Sequence, residues 1–105
     1  MTASADDNTL PGTNFETVWS DLPIGSLIAG QYEVRGLLGE GGMSWVFDVF
    51  DLGLRRQVAL KTSKFPEFDP SLEQEGRALA AIEQEGLPRV YALGRHGPRA
   101  FLVME

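Results

Sequence analysis

Gly39, Gly41 and Gly42 fall within four positions, and an alternating run, Trp45-Val46-Phe47-Asp48-Val49-Phe50, follows almost at once. Few chain paths satisfy both. Closely spaced glycines let the backbone fold back and bring bare N–H groups near an anion. A period of two in aromatic and β-branched residues demands a strand. A Rossmann phosphate loop must lead into a helix, so it is excluded. A Walker A loop ends in Gly-Lys-Ser/Thr, which the sequence lacks. What remains is a glycine hairpin between two antiparallel strands. It is either a plain turn that needs positive φ or a flap able to cover a phosphate chain.

The rest of the chain is read around this unit. Gln31 to Arg35 alternates and predicts a strand entering the domain, which the glycines break at Gly39. Trp45 to Leu52 is the second strand, with Val46, Asp48 and Phe50 on one face and Trp45, Phe47 and Val49 on the other. Arg55 or Arg56 to Thr62 is the third, and the short connection favours an antiparallel meander. A helix follows over 70–84. Asp69 is suited to cap it with Pro70 in the first turn, or Ser71 and Gln74 form a capping box instead, and Gly86 stands where a stop is expected. Pro88 to Gly94 is a fourth strand, His96-Gly97-Pro98 a turn, and Arg99 to Met104 a fifth strand with the apolar content of a central one.

Bulk properties exclude several classes. Cysteine is absent and histidine is represented once, by His96, which excludes disulfides and argues against a zinc site. The net charge of -6 disfavours nucleic acid as a partner. No apolar stretch approaches the roughly 20 residues a membrane helix needs, and the N-terminus lacks a signal-peptide pattern. Residues 1–28 are read as a disordered acidic tail: Asp6, Asp7, Glu16 and Asp21 stand there and no lysine or arginine does. Phe15, Val18 and Trp19 are its exception, either a docking patch or a loose aromatic cluster.

Two side chains stand out chemically. Lys61 closes the apolar strand Val58-Ala59-Leu60 and shares a face with Ala59, which leaves room for a flat ligand beside a positive charge; the bland reading is an edge lysine in water. On the predicted helix, Leu72, Glu75, Leu79 and Ile82 fall in one stripe of roughly 80°. Glu75 on that apolar face costs several kcal/mol, on the order of the burial penalty, unless paired, and a lysine from the sheet is its natural partner. Glu73, Glu83 and Glu85 read as solvated helix charges.

Together these segments resemble the N-terminal lobe of a eukaryotic-type (Hanks-type) serine/threonine protein kinase, most like the bacterial members. LLGEGGMSWVF resembles the glycine-rich loop, VALK the strand with the nucleotide-positioning lysine, EGRALAAI the αC segment with its glutamate, and FLVME the strand entering the hinge. The similarity covers about residues 30–105. It implies an α+β fold: a five-stranded antiparallel sheet with one αC-type helix, over 29–105, truncated at the hinge. It implies an ATP site lined by Leu38, Gly39, Glu40, Gly41, Gly42, Met43, Ser44, Trp45, Val46, Ala59, Lys61, Met104 and Glu105. Lys61 would hold the α- and β-phosphates and pair with Glu75; Met104 matches the gatekeeper and Glu105 the first hinge residue.

The departures are informative. Ser44 stands at the third loop glycine, which stiffens the flap, and Gln84-Glu85-Gly86 replaces the usual His-Pro-Asn. The H-R-D and D-F-G motifs, which carry the base and the Mg²⁺ ligands in this family, do not occur in the sequence. The expectation is therefore a cytoplasmic ATP-binding lobe, inactive alone, with Mg²⁺ and protein substrate engaged only through a C-lobe and a kinase dimer partner possible. The alternatives are a pseudokinase-like module that binds nucleotide weakly or docks a partner kinase through αC, and a small β-rich binding module.

Overall fold

The computed structural model describes Trp19, residues 22–82 and residues 84–105. Phe15, Val18 and the acidic residues of the tail lie outside the described residues. The elements are β1 (Leu27–Ile28), β2 (Tyr32–Glu40), β3 (Ser44–Asp51), β4 (Arg56–Ser63), a 3₁₀ turn (Pro66–Phe68), α1 (Asp69–Ala80), β5 (Val90–His96) and β6 (Arg99–Met104). All strands pair antiparallel in one sheet of order β1-β2-β3-β4-β6-β5.

The sheet has six strands where the sequence predicts five. The extra one is β1, whose two residues are too few to show a period. It is joined to β2 by a turn in which Ala29 and Gly30 both have positive φ (54° and 68°). That is the backbone hairpins favour, but here without the usual Asn-Gly or Asp-Gly signature. β2 also runs through Gly39 to Glu40 rather than breaking there, accommodated by register shifts between Val34 and Gly36 and between Leu37 and Gly39.

The meander β2-β3-β4 follows from the alternation. Phe47 and Val49 are buried, with Trp45 packed against them, and Val46 and Phe50 lie on the other face, as the period of two requires. At the β3–β4 turn the Asp51 carboxylate accepts hydrogen bonds from the Gly53 and Leu54 amides (2.9 and 3.2 Å) and from Gln31 Nε2 (2.9 Å). Burial alone would raise its pKa; these donors and the nearby Arg56 charge hold it below the ordinary carboxylate value.

The main core lies on the Phe47 face. Ile28, Val34, Val49, Leu60 and Val103 are among its fully enclosed side chains. Trp19 is completely buried there, its ring 5.6 Å from that of His96. The His96 Nδ1 accepts a hydrogen bond from the Ala29 amide at 2.9 Å, and burial holds this imidazole below its usual pKa. Trp19 and β1 thus both belong to the packed unit although they precede residue 29.

A second, smaller core of Leu72, Ala100 and Leu102 seats α1 on the opposite face. The helix ends at Ala80, short of the predicted 84, and Ile82 beyond it is 48% exposed. It approaches the sheet closely because Gly76 is buried against Leu102: a Cβ there would stand 2.6 Å from Leu102 Cδ1. Gly76→Ala is therefore expected to destabilise despite alanine's helix propensity. Overpacking costs about 1–3 kcal/mol against a propensity gain of about 1 kcal/mol. A urea melt of the variant showing no loss of midpoint would refute the close approach.

Candidate functional site

Cross-strand partners share a face of the sheet. Val46 faces Lys61, which faces Leu102; in the next row Asp48 faces Ala59, which faces Met104. This surface is the one that α1 covers in part. Lys61 arrives there because alternation along β4 places Val58 and Leu60 in the main core and Ala59 and Lys61 opposite. From α1, Glu75 reaches back, and Lys61 Nζ donates to Glu75 Oε2 at 2.8 Å.

The environment of the pair differs from the sequence expectation. The Lys61 side chain is 23% exposed and that of Glu75 41%. Leu72 and Gly76 make the buried contact of the helix, and Glu75 sits beside them at the margin rather than within an apolar face. A pair so exposed contributes at most about 1 kcal/mol to stability. Its value to the fold is small, so the juxtaposition of the two charges calls for a reason outside the fold.

The glycine hairpin lies at one end of the same strands. Its closure is a hydrogen bond from the Gly41 amide to the Ser44 carbonyl (2.8 Å), and the Met43 carbonyl accepts from the Lys64 amide (2.8 Å). None of Gly39, Gly41 and Gly42 has positive φ. A Cβ at Gly39 or Gly42 would meet nothing within 4 Å, and one at Gly41 only Ser44 Oγ at 3.6 Å. A plain turn requiring left-handed backbone is thereby corrected. The fold would tolerate side chains at all three positions. A cavity of about 320 Å³ opens between the hairpin tip and α1, lined by Met43, Ser44, Lys61, Ser63, Leu72 and Glu75 among others. A larger one, about 440 Å³, lies at the far end of the helix by Leu79, Arg89 and Glu105 and holds neither the glycines nor Lys61.

The remaining predicted site residues divide. Val46, Ala59 and Met104 share the Lys61 face, Met104 packed against the smaller core. Leu38 stands at the register shift before Gly39, 62% exposed. Glu105 follows β6, its amide donating to the Arg89 carbonyl at 2.9 Å. Trp45 faces the main core, away from Lys61, and Glu40, its cross-strand partner, has its carboxylate bonded to Lys64 Nζ.

One cluster was not foreseen in the sequence. Asp69 does not cap α1. The helix N-cap position is Phe68 with no side-chain cap, and Asp69 lies within the first turn. Neither does a Ser71–Gln74 box form the cap. The Asp69 carboxylate is instead taken by Arg99 at the start of β6. Arg99 Nε donates to Oδ2 at 3.1 Å and a terminal nitrogen to Oδ1 at 3.3 Å, while the Ala100 amide gives Oδ2 a 2.9 Å bond. Ser63 Oγ also bonds Asp69, and Arg99 reaches the Ser63 carbonyl at 2.9 Å. Arg99 is 1% exposed and Asp69 8%. Burial pushes the Asp69 pKa up, but the arginine, serine and amide donors outweigh it and leave it below the usual value. The cluster ties the first turn of the Glu75 helix to β4 and β6. An Arg after Gly-Pro gives no periodic signal of burial, so only the unusual pairing of a polar residue with a wholly apolar strand hinted at it.

Among the described residues no group of three or more His, Asp or Glu side chains is placed to hold a metal. No described helix is long and apolar enough to cross a membrane.

No protein-family model matches the chain. Individual proteins do. The serine/threonine-protein kinase PrkC of Bacillus subtilis is 30% identical over 87 residues, covering 78% of this chain and 13% of PrkC. PknA of Mycobacterium tuberculosis is 33% identical over 92 residues, covering 78% and 21%. The DNA damage-responsive kinase RqkA of Deinococcus radiodurans is 43% identical over 77 residues, covering 70% and 12%. The chain spans about an eighth to a fifth of these curated relatives. Among solved structures, the M. tuberculosis PknI kinase domain superposes with a TM-score of 0.64 at 25% identity, over 80% of this chain and 36% of PknI. Apo PpkA superposes with a TM-score of 0.69 at 23% identity, over 80% and 38%, a likeness of fold. Sequence and fold agree: the homologues of this chain are bacterial Hanks-type serine/threonine-protein kinases, of each of which it matches a small part.

Proposed function

We propose that this chain is the nucleotide-binding lobe of a serine/threonine-protein kinase, with Lys61 as the phosphate-holding cation and Glu75 as the residue that orients it. The observation that carries the reading is the 2.8 Å Lys61–Glu75 pair on the sheet face overhung by the glycine hairpin. A half-exposed pair adds little to folding, whereas a lysine held by a carboxylate presents its charge in a fixed place. The three glycines support the same reading. The fold itself does not require their lack of a side chain, which leaves the hairpin backbone open to close approach by a ligand.

In this assignment Val46 and Ala59 face the adenine, Met104 stands behind it as gatekeeper, and the Glu105 backbone meets its edge. Leu38 and Met43 close the site from the flap side. ATP bound here supplies the phosphoryl group. The chain's own part is to position it and to offset the charge of its α- and β-phosphates. Mg²⁺, the catalytic base and the protein substrate are proposed to be engaged by a C-lobe, so phosphoryl transfer is assigned to the whole kinase. Titration with a fluorescent ATP analogue tests the reading: saturable binding that ATP displaces is expected, and absence of binding by a folded chain would sink it.

A further inference from the structure

Lys64 belongs to none of the roles above, yet it touches the glycine hairpin through Met43, Glu40 and Trp45. Its amide donates to the Met43 carbonyl at the hairpin tip, 2.8 Å away. Its ammonium bonds the Glu40 carboxylate, which stands between Gly39 and Gly41. The same ammonium lies 5.4 Å from the centroid of the Trp45 ring, within cation–π range. The Lys64 side chain is 17% exposed and that of Glu40 53%, so the ion pair meets water on its Glu40 side while the lysine stem is covered.

The face on which this happens is informative. Glu40, Trp45 and Thr62 are successive cross-strand partners, on the opposite side of the sheet from Lys61. Lys64 therefore straps the back of the hairpin and leaves the front clear. Both arms of the hairpin are held: Glu40 from β2 and Trp45 from β3. Lys64 also immediately follows Ser63, which bonds Asp69 in the first turn of α1. Hairpin and helix are thus fastened to adjacent residues of one short segment.

We infer that Lys64 is a positioning residue: with Glu40 and Trp45 it clasps the glycine hairpin from behind and sets its height above the nucleotide face. The inference rests on the nucleotide reading given above. A preorganised flap binds more tightly because less freedom is lost on closing. Lys64→Met and Glu40→Gln should each weaken binding of a fluorescent ADP analogue by about three- to tenfold, with little change in melting temperature. Lys64→Arg, which keeps the charge and the ring contact, should stay within about twofold of wild type. Backbone amide exchange at Gly41 to Ser44 should quicken in Lys64→Met and not in Lys64→Arg. Unchanged or tighter analogue binding by Lys64→Met overturns the clasp. If the wild-type chain binds no analogue, the nucleotide reading fails by itself. Amide exchange then still decides the clasp, and unaltered protection in Lys64→Met refutes it.

Discussion

Replacing Asp69 by asparagine is expected to cost about 3–5 kcal/mol, the penalty for breaking a buried ion pair by removing one partner. Arg99 is 1% exposed, so solvent screens its charge little. Against a typical domain stability of about 5–15 kcal/mol, that loss lowers the melting temperature by on the order of 20 °C. The double variant Asp69→Leu with Arg99→Met should recover only part of it: no buried charge is left behind, but the Ala100 amide and Ser63 lose the partners that Asp69 and Arg99 gave them. A single Asp69→Asn variant that melts with wild type would show that the cluster is hydrated. Acid should mimic the substitution. The folded Asp69 pKa is depressed by its donors, so its stabilisation is complete above the unfolded value of about 3.9. It is lost as pH falls through the lower folded value. The Asp69→Asn variant should show a correspondingly shallower stability decline below about pH 4.

Lys61→Met should behave in the opposite way: nearly silent in stability, large in binding. The Lys61–Glu75 pair is exposed enough that its loss costs at most about 1 kcal/mol. If Lys61 meets the nucleotide phosphates, its removal takes away a charge-assisted contact worth about 1.5–3 kcal/mol, or on the order of a ten- to hundredfold loss of affinity. Isothermal titration with an ATP analogue, alongside a thermal melt, separates the two effects. Equal affinity in wild type and Lys61→Met would move the phosphates elsewhere and revive the β-rich binding module. Glu75→Gln should weaken binding less, since the lysine keeps its charge and loses only its fixed direction.

Much of this arrangement is written in local pattern. Alternation from Trp45 to Phe50 fixes which side chains enter the core, and the same period along β4 turns Lys61 outward. The ion pair was legible because a glutamate stood in an apolar helical stripe, although its surroundings are wetter than the stripe implied: Gly76 and Leu72 carry the contact. Asp69 shows where local pattern misleads. Asp-Pro before a helix is a capping signal, and only the fold reveals an arginine 30 residues later competing for the same carboxylate. β1 was too short to be seen, and its turn uses Ala29 where a hairpin usually signals itself with Asn or Asp. For Trp19 the sequence left docking and a loose aromatic cluster equally open, since its neighbours come from β2 and β3 and its ring partner His96 from β5.

The order of the strands has a consequence for how the molecule comes into being. β6 lies between β4 and β5, yet it is the latest of the three in sequence. Until it is synthesised, the outer edge of β4 has no partner, and Ser63 waits for an Arg99 that lies 36 residues downstream. Such distant pairing slows folding and leaves an apolar strand edge open to other nascent chains. The outer edge of the lysine-bearing strand, and the whole of β5, should thus gain protection only once β6 has emerged from the ribosome.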